Sequence, residues 1–270
     1  MSLWPIFLLD RAEDLRFRFL VDEPKEGAFN MAVDEALFLS ASEPSGLASV
    51  RLYGFDPPTV SFGYRQTLED AVDVASCREL GVEWVKRPTG GRALLHQHEL
   101  TYSVASPVGG VFRGFAVRTL YDLVSTVIRS ALTGLGVPLD PAVPEGVRDR
   151  EPALHVPCLA LPGSHEITSG GRKIVASSQR RGRRAFLQHG SILRRVDPGL
   201  WERVEPRGRP GATLRAVGID ELTPQPVPRG LLVPALLRSF EELFEAKAEE
   251  EGLTRLELEK IRELRCKYRS

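Results

Sequence analysis

Hydrophobic and polar positions along the chain follow two periods, and the switches between them mark the elements. Phe17-Arg-Phe-Leu-Val21 predicts an opening strand. Over residues 28–42, Met31, Ala32, Ala36 and the Phe38-Leu39 pair recur at helical spacing and predict a helix. Val50-Arg-Leu-Tyr53 and Thr59-Val-Ser-Phe62 predict two short strands, and the turn Gly54-Phe-Asp-Pro-Pro58 between them predicts a hairpin. Residues 68–80 predict a single helix. Val82-Glu-Trp-Val-Lys-Arg87 alternates as a strand and runs into the tight loop Pro88-Thr-Gly-Gly-Arg92, from which residues 93–96 lead out. In Glu99-Leu-Thr-Tyr-Ser-Val104, Leu100, Tyr102 and Val104 share one face at strand period.

The second half begins with the clearest helix, residues 115–135. Val117, Leu120, Tyr121, Val124, Ile128, Leu132 and Leu135 trace its apolar stripe, and Gly136 ends it. Residues 138–157 hold five prolines and predict a long stiffened loop, with Cys158 at its end. Residues 164–168, Ser169-Gly-Gly171 and 172–177 read as strand, glycine turn and strand; residues 186–193 read as a further strand. Residues 204–213 are a Pro/Gly/Arg-rich loop, and 231–248 and 256–265 are helical. Strands in hairpins, without strict βαβ alternation, give the α+β class. There is no repeat and no clear linker. The expected division is a catalytic domain over residues 1–230, with C-terminal helices over 231–270 packed on it.

Composition narrows the function. The 270 residues carry 36 basic and 36 acidic side chains, so bulk positive charge does not draw this protein to nucleic acid. No apolar run approaches the roughly 18 residues of a membrane helix. The apolar start, Met1 to Asp10, lacks a basic leader and a cleavage site, so no signal peptide is expected. Three separated cysteines, 77, 158 and 266, give no disulfide framework and suit a reducing cytoplasm. Only six of the 36 basic residues are lysine, and between Lys86 and Lys247 the sole lysine is Lys173.

Five features bear on chemistry. Arg87-Pro-Thr-Gly-Gly-Arg-Ala-Leu-Leu-His96 lets backbone approach a ligand at Gly90 and Gly91, between two arginines; it also fits a plain turn with solvated arginines. Cys158, ending a loop before a hairpin, is a candidate nucleophile, whereas Cys77 and Cys266 read as packing residues. Period two places Lys173, Val175 and Ser177 on one face, turned toward a semi-apolar interior. His96-Gln-His98, with His155 or His189, lacks the acidic cluster that would argue for a metal. Arg172 to Arg215 holds 12 basic and three acidic residues, either a solvated hairpin or a docking surface for an acidic partner.

Together these segments resemble the biotin/lipoate protein ligase and octanoyltransferase superfamily, from about Phe17 to the C-terminal helices. Gly27-Ala-Phe-Asn-Met-Ala-Val-Asp-Glu-Ala-Leu37 resembles its first helix, and Pro58-Thr-Val-Ser-Phe-Gly63 followed by Gln66 its substrate-lining strand. Arg87 to His96 and Glu99 to Ser103 resemble its signature loop. Gly171-Arg-Lys-Ile-Val-Ala-Ser-Ser-Gln-Arg180 resembles its lysine strand, and Gln188 to Leu193 the next. Arg92 stands where the ATP-dependent ligases commonly carry a third glycine, and Pro157-Cys158 precedes the lysine strand, as in one branch of cysteine-dependent octanoyltransferases. Lys86 departs from the family pattern, where a second arginine is common.

The resemblance implies a class II synthetase/biotin–lipoate ligase-like fold, with a mixed, largely antiparallel sheet flanked by helices. It implies transfer of octanoate from acyl carrier protein to a lysine of a lipoyl-accepting protein such as glycine cleavage H protein. Cys158 and Lys173 are then catalytic; Tyr64, Arg87, Gly90, Gly91, Arg92, His96 and Ser177 bind substrate. Tyr64, Val85, Leu94 and Val175 would line the acyl groove, and backbone N–H groups near Gly90-Gly91 or Cys158 would hold the oxyanion. No metal, ATP or other cofactor is expected, and neither nucleic acid nor membrane is a partner. Three alternatives stay open: an amidotransferase fed by octanoyl H protein, an ATP-dependent lipoate ligase, and a carrier-binding module without catalysis.

Overall fold

Segments that alternate in sequence assemble into two sheets. In the computed structural model, which describes residues 17–109, 115–142, 157–160, 166–207, 213–244 and 248–268, the larger sheet has seven strands. They are β1 (Phe17–Val21), β2 (Ala48–Tyr53), β6 (Glu99–Pro107), β7 (Ile167–Ser169), β8 (Arg172–Arg181), β9 (Ala185–Leu193) and β10 (Ala248–Glu250), in the order β10-β1-β2-β6-β9-β8-β7. β1 runs parallel to both β10 and β2; the other pairings are antiparallel. The smaller sheet joins β4 (Glu83–Lys86), β3 (Thr59–Phe62) and β5 (Leu94–His96) in that order.

Each face of the large sheet is closed by helices. On one, α4 (Val117–Gly134) and α6 (Arg229–Phe244) pack Leu120, Val124, Ile128, Leu132, Leu236 and Phe240 onto the face formed by Leu100, Tyr102 and Val104. On the other, α1 (Gly27–Ala41) and α7 (Arg255–Tyr268) bury Met31, Leu37, Phe38 and Ile261 against Tyr53, Ala105 and Leu187. A buried ion pair ties α7 to β1: Arg18 donates to Glu257 at 2.9 Å and to Ser49 at 2.7 Å.

The structure corrects three local readings. Residues 68–80 form two helices, α2 (Leu68–Ala71) and α3 (Val74–Leu80), because Val72 is buried in extended backbone and the Asp73 carboxylate caps the second at Ser76 N–H, 2.7 Å. Strands β2 and β3 are not a hairpin. The link between them carries two prolines, which offer no N–H to a ladder, and it crosses from the large sheet to the small one. The helix over 231–248 ends at Phe244, and Ala248–Glu250 becomes a strand covering the edge of β1. α5 (Pro198–Val204) completes the helices and packs beside the small sheet through Trp201 and Val204. Of the proline-rich loop, residues 143–156 lie outside the described residues, as do Ser164 and His165 of the expected strand.

Candidate active site

The glycine loop owes its shape to Arg87. Its guanidinium donates to the Gly90 carbonyl from Nε (3.0 Å) and Nη2 (2.7 Å), to the Arg92 carbonyl from Nη2 (2.8 Å), and to Ser61 carbonyl and hydroxyl from Nη1 (3.0 and 3.2 Å). Its donors are thus spent inside the protein, although Arg87 was expected to offer them to a ligand. Burial draws its basicity down to about 10, partly offset by the nearby Cys158. Gly91 sits at φ 85°, and a Cβ there would stand 2.7 Å from Arg87 Nη2. Gly63 is tighter still: a Cβ would lie 2.1 Å from the Gly91 carbonyl oxygen.

Cys158 is held between this loop and β8. Its N–H donates to Ala93 O (2.9 Å), and the next carbonyl, Leu159 O, accepts from Arg215 N–H (2.7 Å). Arg215 O in turn accepts from Lys173 N–H (2.8 Å), so short backbone links connect nucleophile and lysine. Engaged with Ala93, the Cys158 N–H is not available to an oxyanion, which corrects that part of the sequence reading. Lys173, fully buried, brings Nζ to 3.7 Å from Cys158 Sγ, 2.5 Å from Cys158 O and 2.7 Å from Glu166. Strict alternation would put Lys173 with Val175. A bulge between the β7 and β8 pairings breaks it: Ile174 and Val175 both enter the large core, while Lys173 turns to the cysteine.

Beside Sγ lies a cavity of about 420 Å³, mouth included, lined by Met31, Phe55, Leu94, His96, Ala176 and Ser191 among others. Arg87, Gly91, His96 and Ser177 of the expected substrate set border it. Gly90 shapes its rim through the Arg87 bonds, and the half-buried Arg92 contributes a carbonyl to the same guanidinium. Tyr64 is half exposed and, with Gly90 and Lys86, borders a separate, wider cavity of about 1230 Å³, mouth included. Of the expected groove residues only Leu94 lines the cysteine cavity; Val85 and Val175 are committed to the two cores on either side of the large sheet.

Polar groups at the cavity wall are tied down. His96 stacks on Phe55 at 4.0 Å and bonds Ser61 (2.8 Å) and Ser191 (3.1 Å). Beneath the glycine loop, Asp34 receives bonds from Arg51 (3.1 Å), Tyr53 (2.8 Å), Ser103 (2.9 Å) and His189 Nδ1 (2.9 Å). Burial alone would raise the Asp34 carboxyl; the His189 bond and Arg51 charge outweigh it and hold the group below the usual carboxylate value. Because ionised Asp34 only accepts, His189 carries its proton on Nδ1, and Nε2 accepts from Thr89 of the loop at 2.6 Å. These histidines are hydrogen-bonded within the wall; His155 lies outside the described residues. Cys77 is buried and its thiol pushed up to about 11 by burial and then by Asp73, whereas Cys266 is exposed on α7.

The basic stretch splits on the structure. Arg180 pairs with Glu35 at 3.5 Å and Arg181 with the Phe115 carbonyl, while Arg183 and Arg184 occupy the exposed turn between β8 and β9. Arg180, Arg181 and Lys86 border the wider cavity, across the glycine loop from Cys158. Among the described residues, no helix is long and apolar enough to cross a membrane.

A ligase-like sheet presenting a cysteine–lysine pair beside a glycine loop defines a class of acyl-handling proteins. A model of the lipoyl protein ligase A/B catalytic domain matches residues 26–241, and the chain belongs to this family. Among its relatives, Octanoyltransferase LipM of Kyrpidia tusciae is 36% identical over 264 residues, 93% of this chain and 96% of the relative. Octanoyltransferase LipM of Geobacillus kaustophilus is 37% identical over 256 residues, 90% of this chain and 92% of the relative. Of solved structures, lipoate-protein ligase A bound with ATP superposes with TM-score 0.77 at 23% identity, covering 94% of this chain and 95% of the other. The bi-partite lipoate protein ligase of Thermoplasma acidophilum gives TM-score 0.77 at 21%, covering 94% and 93%. At those identities the likeness concerns the fold, and it bears out the expected ligase-like α+β architecture.

Proposed function

We propose that this chain is an octanoyltransferase of lipoate assembly that carries the acyl group on Cys158. The observation that carries the covalent step is Lys173 Nζ, buried and 3.7 Å from Cys158 Sγ at the cavity mouth. Lys173 takes the thiol proton, Sγ attacks the octanoyl thioester of acyl carrier protein, and Lys173 returns the proton to the departing pantetheine thiol. The ε-amine of a lipoyl-accepting protein, such as glycine cleavage H protein, then displaces the cysteine and forms an amide. A thioester is already activated, so the reaction requires neither ATP nor metal. The exposed arginines near the β8–β9 turn suit acidic carrier and acceptor domains. A reducing cytoplasm keeps the nucleophile a thiol.

The test is intact mass after mixing the protein with octanoyl-acyl carrier protein without ATP. The expected result is a gain of one octanoyl group that hydroxylamine removes. If octanoyl H protein alone loads the enzyme, the donor is the H protein; activity only with free lipoate and ATP makes it a ligase. A second expectation concerns the loop. Gly63→Ala forces a methyl group against the Gly91 carbonyl, which is backbone and cannot rotate aside. A shift of about 1 Å there should slow acylation about 10²-fold while the protein stays folded, measured by single-turnover acylation.

A further inference from the structure

Among the described residues, Lys173 Nζ has three neighbours within reach: a Glu166 carboxylate oxygen, the Cys158 carbonyl and Cys158 Sγ. An amine nitrogen bonded to its Cε has three remaining tetrahedral positions. Two are taken by oxygen acceptors, so the third is left for sulfur. There the nitrogen either donates N–H to a thiolate or accepts S–H through its lone pair. Both states of the shared proton fit one geometry. Glu166 holds the nitrogen in that geometry: its carboxylate accepts from Nζ at 2.7 Å, and at 14% side-chain exposure the contact is largely shielded from water.

We propose that Glu166 is a positioning residue for the acyl-transfer pair: it fixes Lys173 Nζ toward Cys158 Sγ. The proposal rests on the acyl-enzyme reading above. In the step it supports, the proton passes from Sγ to Nζ and sulfur forms a bond to the thioester carbonyl carbon. The carbon–sulfur bond to the donor then breaks, and the proton leaves Nζ for the departing sulfur. Glu166 neither gains nor loses a proton. Its placement follows from the β7–β8 hairpin. Gly170 and Gly171, at φ 55° and 69°, make the two-residue turn and set Thr168 opposite Lys173. Asp140 locks that turn, accepting from Gly170 N–H (2.8 Å), Gly171 N–H (2.9 Å) and the Thr168 hydroxyl (2.7 Å). Glu166 then lies two residues before Thr168, at the period that returns a side chain to the same side.

Among the described residues, the other titratable groups sensing this site include Arg87, which feels Cys158, and Tyr121, which feels both Glu166 and Cys158 and which burial keeps above the ordinary tyrosine range. Both are unchanged in the variants below, so a difference between profiles reports on Glu166. The experiment follows acyl-enzyme formation by intact mass from about pH 6 to 10, with octanoyl-coenzyme A as donor, for wild type, Glu166→Gln and Glu166→Asp. Glu166→Gln should slow acylation at least about tenfold at neutral pH and move the alkaline limb of the profile to lower pH, because a negative charge beside the pair is lost. Glu166→Asp should fall between the two. The proposal is overturned if Glu166→Gln keeps the wild-type profile whatever its rate, or if Glu166→Asp is as impaired as Glu166→Gln. Thermal denaturation reports folding of each variant. If Glu166→Gln does not fold, Glu166→Asp decides: a limb displaced downward supports the role and an unmoved one ends it. Wild type that takes octanoyl from neither donor defeats the acyl-enzyme reading and this role together. Wild type that acylates beside an unaffected Glu166→Gln defeats the role alone.

Discussion

Cys158→Ala is expected to abolish octanoyl transfer, a loss on the order of 10⁴–10⁶-fold as for other covalent nucleophiles. The fold should survive. Cys158 is only half-buried, and what anchors its segment is backbone: its N–H on Ala93 and Leu159 O on Arg215. The thermal midpoint should therefore move by no more than a few degrees. Cys158→Ser separates shape from chemistry, since its hydroxyl occupies the same place yet is far harder for Lys173 to deprotonate. Both variants should show no octanoyl mass gain with acyl carrier protein. Transfer retained by Cys158→Ala at a tenth of the wild-type rate or better would retire the thioester relay and leave direct attack by the acceptor amine.

The second large effect concerns stability. Asp34→Ala removes the acceptor shared by Arg51, Tyr53, Ser103 and His189, and strands part of a fully buried guanidinium. Breaking a buried ion pair from one side costs about 3–5 kcal/mol. For a chain of this size that lowers the melting temperature by roughly 6–20 °C, read by thermal denaturation. Arg51 keeps its bond to Asp22 at 2.6 Å, which places the effect at the lower end of that range. The same network sets an acid limit. Burial, only partly offset by Asp34, holds His189 below the ordinary imidazole value of 6.5, so the unfolded chain takes up that proton first. Stability should thus be level between about pH 7 and 8, below the ordinary thiol range, and decline as pH falls through 6.5. It should fall further below the ordinary carboxyl value of 3.8, where unfolded Asp34 is protonated before the folded group. His189→Gln should flatten the first decline and weaken the second, because the His189 bond helps hold the Asp34 carboxyl low.

Much of this site was legible before any coordinates. Cys158 and Lys173 stood out because each interrupts a pattern: a thiol ending a proline-rich loop, and one lysine among arginines. The glycine loop was legible because few residue types turn so tightly. Glu166 was missed although it lies within the strand read over residues 164–168. A signal existed, since the Gly-Gly turn sets Thr168 opposite Lys173 and Glu166 lies two residues before Thr168, but Glu166 precedes the paired stretch of β7 and its side could not be read from turn chemistry alone. The internal bonds of Arg87 were hidden for a different reason. Sequence shows a charge beside a flexible loop; only the fold shows that the carbonyls of that loop face inward and use it. The hairpin expected between β2 and β3 failed because local turn chemistry cannot reveal that two neighbouring strands join different sheets. Asp34 was visible as an acid within an apolar helix, yet its partners come from β2, β6 and β9, far along the chain.

The self-contained bonding of Arg87 has a kinetic consequence. A loop whose cation is satisfied by its own carbonyls, and whose Thr89 is moored to His189, is ordered by folding before any donor arrives. Encounter then needs no slow closing step on that side. Loading should follow donor concentration linearly until diffusion or acylation limits it, and shortened acyl chains should lose residence time far more than arrival rate.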